Sequence, residues 1–206
     1  MPTKYRQAFL ALFFLLGFLL RFCFFGSPAL AADIDSRQSV IDKELPGFTI
    51  VPSDLISPIE DSPDHPRRQT VITADFNGDG KKDFAAMVVK TDGNVQISRG
   101  QPFGIIVCYS SVTKRYECGL IGGTGSMRLP LSFYLEAVKP GKLHCFDSWA
   151  EVFGKDTRPL GHQEYLGEKT LLTKTTSIGH YRTMGNGDVV YVYQSKKRFL
   201  SCITSD

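Results

Sequence analysis

Val71-Ile72-Thr73-Ala74-Asp75-Phe76-Asn77-Gly78-Asp79-Gly80-Lys81-Lys82-Asp83-Phe84-Ala85-Ala86-Met87-Val88-Val89 is where the pattern of this chain changes. A β-branched run enters the stretch, an apolar run of strand type leaves it, and a turn rich in glycine and acid lies between. Upstream, residues 32–69 are polar and contain Pro46, Pro52, Pro58, Pro63 and Pro66, a density that excludes a long regular helix. A short helix is expected over residues 36–45, where Val40, Ile41 and Leu45 form a fragment of an apolar stripe and Pro46-Gly47 ends it.

Downstream, short β-branched and aromatic runs alternate with turn residues. Residues 104–109 and 115–121 read as a hairpin, and residues 131–138 and 142–146 flank the turn Lys139-Pro140-Gly141. Gly185-Asn186-Gly187-Asp188 separates residues 177–184 from 189–193, and a last run covers 198–203. The fold class expected is α+β and β-rich. Residues 70–206 form one domain dominated by antiparallel sheet and hairpins, with a short N-terminal helix before it. Nothing repeats at a fixed period and the acidic loop occurs once, so the chain does not read as a propeller or solenoid.

Residues 1–31 read as a signal peptide. Lys4 and Arg6 precede the apolar run of residues 8–20, and Ala29-Leu30-Ala31 offers the small-x-small cleavage pattern. An uncleaved anchor is the competing reading, because apolar character resumes at Phe22-Cys23-Phe24-Phe25, but Arg21 interrupts the run. No stable membrane span is expected once the signal is removed. Lipidation at Cys23 is disfavoured by Arg21-Phe22, where small residues should precede the cysteine. The leader holds Lys4, Arg6 and Arg21 of the 24 basic residues and no acid, so 21 basic face 21 acidic residues in what remains. No long Lys/Arg run is left to hold a phosphate backbone, which argues against nucleic acid as a partner. The expected location is periplasmic or secreted.

About 175 of the 206 residues remain after the leader, enough for one core. Cys108, Cys118, Cys145 and Cys202 are an even set in an exported chain, which reads as two disulfides with three possible connectivities. Cys108 with Cys118 is preferred because their runs read as opposed strands of one hairpin. That leaves Cys145 with Cys202.

In the acidic loop, Asp75, Asn77, Asp79 and Asp83 fall at positions one, three, five and nine, and Lys81 at position seven would offer its backbone carbonyl. Calcium takes six to eight hard oxygen ligands, and Gly80 at position six permits the turn that brings later ligands round. The set points to a structural Ca2+. The same Asn-Gly and Asp-Gly pairs also form tight turns without metal. Position twelve is Ala86 rather than an acid, and the exit is strand-like, which excludes an EF-hand or a dockerin repeat. Ala74 through Ala85 resembles the calcium loop of FG-GAP/VCBS-type repeats, here in a single copy of about 15 residues. The resemblance implies calcium ligation by Asp75, Asn77, Asp79, the Lys81 carbonyl and Asp83.

Other constellations are weaker. His65, His144, His162 and His180 have no metal spacing. His144 and Cys145 would point to opposite faces of a strand, against thiol catalysis. Gly119-Leu120-Ile121-Gly122-Gly123-Thr124-Gly125 lacks the ending of a phosphate loop and reads as a strand-ending glycine loop. Glu151, Asp156 and Glu164 read as surface acids, and Tyr181, Tyr191, Tyr193 and Phe199 as core or cross-strand aromatics. The function expected is an exported non-catalytic module that binds a protein or glycan. The alternative is a small hydrolase assembled from residues such as His65, His144 and Asp147.

Overall fold

A computed structural model describes residues 28–56, 69–91, 97, 100–111, 113, 115–126, 133–152, 154, 164–182, 188–195 and 198–204. The expected leader before Pro28, His65, His162, Asp156 and the centre of the Gly185–Asp188 turn lie outside them, as do the side chains of residues 29–33 and of Glu151. The chain divides into two units, Met1–Arg37 and Gln38–Asp206. The first contributes only the opening of one helix to the described residues; the second is the β-rich domain.

Helix α1 spans Pro28–Glu44, beginning upstream of the expected residue 36 because Ala29, Ala31 and Ala32 are strong helix formers. It ends where expected, with Gly47 at φ 87° carrying the chain out. Strand β1 (Phe48–Ile50) and a 3₁₀ turn (Ser53–Leu55) follow. Strands β2 (Val71–Ala74) and β3 (Asp83–Lys90) form a hairpin closed by the acidic loop, with Ala74 opposite Asp83. Strands β4 (Pro102–Ser110) and β5 (Tyr116–Ser126) form the expected second hairpin. Because β1 and β2 pair with successive parts of the same edge of β3, the first sheet runs β1 and β2, then β3, β4, β5.

The second sheet is ordered β6-β11-β12-β13-β8-β9 and is antiparallel throughout. Its members are β6 (Phe133–Val138), β8 (Asp147–Val152), β9 (Glu164–Tyr165), β11 (Ser177–Arg182), β12 (Asp188–Ser195) and β13 (Arg198–Thr204). Two further strands, β7 (Gly141–Cys145) and β10 (Lys169–Thr173), pair only with each other. The order explains why. β6 and β8 stand toward opposite edges of the sheet, so β7 must carry the chain across between them, and β10 carries it back from β9 to β11. Lys139-Pro140-Gly141 therefore turns the chain out of the sheet and does not close a hairpin.

The side chains divide by strand alternation into three clusters. Ala85, Met87, Val89, Ile105, Val107 and Ile121 of the first sheet meet Tyr134, Ile178, Tyr191 and Phe199 of the second. The other face of the first sheet, with Phe84, Ala86, Val88, Ile106 and Leu120, is covered by Ile41 of α1 and by Leu45 just past its end. The outer face of the second sheet, with Val190, Val192 and Leu200, packs against Leu143 and Leu171 of the β7–β10 ribbon. Single backbone bridges, Gln69 to Leu135 and Leu120 to Gly154, join the sheets at both margins. One bridge at each margin is not a ladder, so the sheets pack face to face without closing into a barrel. The antiparallel β-rich α+β domain is the expected one, and it is not a propeller.

Both expected disulfides are present. Cys108–Cys118 is a directly opposed pair in the β4–β5 hairpin with Cα atoms 4.1 Å apart. Cys145–Cys202 ties the end of the ribbon to β13 across a separation of 57 residues. The pairs fit an exported protein. Among the described residues no helix is long and apolar enough to cross a membrane.

The glycine run at residues 119–125 lies inside β5 instead of ending it. At Gly122 a Cβ would run into the Tyr191 phenol from the facing sheet. Gly122→Ala is expected to lower stability by about 1–3 kcal/mol through overpacking, read as a shifted urea midpoint. An unchanged midpoint would show that the sheets do not approach so closely there.

Candidate functional site: the acidic hairpin loop

The loop hangs from the β2–β3 hairpin and is anchored from within. Phe76 is 1% exposed and enters the inter-sheet core, while Asp75 and Asn77 are half-buried and Asp79 is exposed. Gly78 and Gly80 adopt φ of 79° and 81°, the left-handed region that other residues avoid. Gly78 has a second constraint, since a Cβ there would lie 2.9 Å from Thr175 Cγ2.

Each acidic or amide side chain is engaged by backbone. Asp75 Oδ1 accepts from the Gly78 and Asp79 N–H groups at 2.7 and 3.1 Å, and its Oδ2 accepts from Gly80 at 2.8 Å. Asn77 Oδ1 accepts from Asp79 N–H at 3.0 Å, and Asp79 Oδ1 from Lys81 N–H at 2.9 Å. These are the local side-chain-to-backbone bonds that make Asp and Asn turn formers. Asp83 is different. It is fully buried, and its two oxygens accept from Phe76 N–H at 3.1 Å and Ser110 N–H at 2.9 Å. One carboxylate thus joins the loop, β3 and the end of β4.

Burial raises the Asp83 pKa above the ordinary aspartate range, the two N–H donors oppose the shift, and the Asp79 and Asp75 charges add to it. Among the described residues no basic side chain pairs with Asp83, and the ion pair within the loop, Lys81 with Asp79 at 3.8 Å, is exposed. The five expected ligands supply hard oxygens of the type and order calcium takes. Among the described residues, however, no three His, Cys, Asp or Glu side chains converge on one point in this conformation.

A cavity of about 330 Å³ adjoins the loop. Asn77, Asp79 and Lys81 form one wall, Tyr109, Ser110 and Glu117 of the β4–β5 hairpin a second, and Tyr193 of β12 a third. Nothing in the one-dimensional pattern linked Glu117 or Tyr193 to the loop, because strands from both sheets bring them there.

Of the hydrolase candidates, His65 lies outside the described residues, and His144 and Asp147 are engaged by different partners. His144 contacts Thr170 Oγ1 at 3.3 Å and Glu168 at 3.5 Å, whereas Asp147 accepts from the Tyr165 hydroxyl at 2.7 Å. Cys145 is buried in its disulfide while the neighbouring His144 is exposed, as strand alternation requires. Tyr191 and Phe199 lie in the core, and Tyr193 and Phe199 form a cross-strand pair with centroids 5.8 Å apart. Glu164 is an exposed edge residue. No family model, curated protein or solved structure matches the chain.

A raised carboxyl pKa in the fold means that the folded state holds its proton more tightly than the unfolded chain. In chelator, the Asp83 contribution should therefore be fully present below about pH 3.9, the unfolded value, and decline as pH rises through the folded pKa. Denaturant unfolding of the wild type and Asp83→Asn across pH 3–7 checks this. The wild type should lose stability relative to the variant as pH rises, and a constant difference would exclude a felt desolvation cost.

Proposed function

We propose that this chain is an exported, non-catalytic module, periplasmic or secreted after removal of its signal peptide, that binds a protein or glycan partner. Its loop takes a structural Ca2+ through Asp75, Asn77, Asp79, the Lys81 carbonyl and Asp83, in the manner of a single FG-GAP/VCBS-type calcium loop. The supporting observation is the Asp83 carboxylate, buried beneath the loop's two other carboxylates with no basic side chain against it among the described residues. A divalent cation would offset that charge and hold the turn, and with it the register of β2 against β3. Two disulfides support an oxidising destination. The separate partners of His144 and Asp147 favour a binding role over hydrolysis.

An exported loop of this kind would bind calcium with Kd on the order of 10⁻⁴–10⁻³ M. At 10 mM Ca2+ the mature chain should gain about 1.4–2.7 kcal/mol over chelator, seen as a raised melting temperature. Asp75→Ala/Asp79→Ala should melt at one temperature in both conditions. A wild type indifferent to calcium removes the metal from the proposal.

A further inference from the structure

We propose that the cavity beside the acidic loop is a receptor for an arginine side chain presented by a partner protein. The volume of about 330 Å³ is at the low end for ligand pockets, suited to one side chain and not to a large ligand. Its walls combine aromatic surface with carboxylates. Tyr109 and Tyr193 meet edge to face with ring centroids 5.7 Å apart, and both line the cavity. A guanidinium is planar, weakly hydrated and always charged, so it stacks on such rings and forks onto carboxylates as an ammonium does not.

The charge at the site selects a cation. Asp79 and Glu117 line the cavity against one basic residue, Lys81, and the rest of the loop adds two acids, Asp75 and Asp83, against one base, Lys82. The phenols register this field. After burial itself, Asp79 and Asp83 hold the Tyr193 pKa up, and at Tyr109 the neighbouring Tyr193 phenol does so ahead of Asp83 and Glu117. Glu117 is exposed, and its carboxylate has no ion-pair or hydrogen-bond partner among the described residues. Ser110 also lines the cavity, although its Oγ is itself buried and has no hydrogen-bond partner among the described residues. Lys81 occupies Asp79 only loosely, at 3.8 Å in an exposed pair of the kind worth about 0–1 kcal/mol. It is a competitor for the site, easily displaced. A neutral sugar could use the same hydrogen-bonding groups, but it would leave the carboxylates uncompensated.

Glu117, Ser110 and Tyr193 are outside the calcium donor set, so the inference does not rest on metal binding. The test is an NMR titration of the mature chain in chelator, following the Ser110, Ser111 and Lys81 amides. The probes are N-acetyl-arginine methylamide, its neutral isostere N-acetyl-citrulline methylamide, and glucose. Saturable shifts are expected with the arginine probe, with citrulline and glucose at least about tenfold weaker. Glu117→Gln should weaken arginine binding, and Lys81→Gln should tighten it by freeing Asp79. Absence of saturable shifts, equal binding of citrulline or glucose, or a Lys81→Gln variant that binds arginine no better would each overturn the proposal. Repeating the titration in Ca2+ separates the two readings: a chain that ignores calcium yet binds arginine loses only the metal.

Discussion

Each of the two large sheets buries both of its faces, and most of the architecture answers to that demand. A sheet wet on one side can alternate apolar and polar residues, whereas one covered on both sides must be apolar along its length. Strand β3 shows the consequence, with Asp83 through Val89 all buried. The inter-sheet core uses only half of these side chains. Phe84, Ala86 and Val88 would face water unless α1 lay over them, and Val190, Val192 and Leu200 would do so without the ribbon. The covering layers are held by more than apolar contact. Gln38 on α1 donates to the Phe48 carbonyl at 3.0 Å and accepts from Ile50 N–H at 2.8 Å, satisfying the edge of β1 that faces away from β3. Cys145–Cys202 locks the ribbon to β13.

The acidic loop is part of the same construction. Phe76 enters the core on one side of the turn, and Asp83 returns under it on the other. A carboxylate in that position costs desolvation, which its two backbone donors offset only in part. The loop therefore holds a structural tension between its charge and its burial. The metal ion proposed for the loop oxygens would relieve that tension, and the guanidinium proposed for the cavity alongside would answer the neighbouring charge of Asp79 and Glu117.

The glycine-rich segment shows how local reading and tertiary need diverge. Residues 119–125 resemble a loop because glycine is scarce in strands. In the fold, the Tyr191 phenol leaves no space for a Cβ at Gly122, so the glycine serves close approach of two sheets. The short strands β8, β9 and β10 were likewise invisible in the residue pattern. β10 is only half covered, and Leu172 on its outer face is 76% exposed, so its alternation does not track burial.

What the sequence by itself determined are the features that rest on neighbouring residues. They include the turn at Asp75–Asp83 with its left-handed glycines, the β4–β5 hairpin with Cys108 opposite Cys118, the end of α1 just before Pro46-Gly47, and the strand character of residues 177–182, 189–193 and 198–203. Short-range sterics and alternation decide these, and both are written in consecutive residues. Only the tertiary structure decided that β6 and β7 part company after Pro140, that the ribbon crosses the second sheet, and that Glu117 and Tyr193 stand beside the loop. Those outcomes depend on which apolar face covers which, a choice made between segments far apart in the chain. The loop could be read from its own residues; the wall it shares with two other hairpins could not.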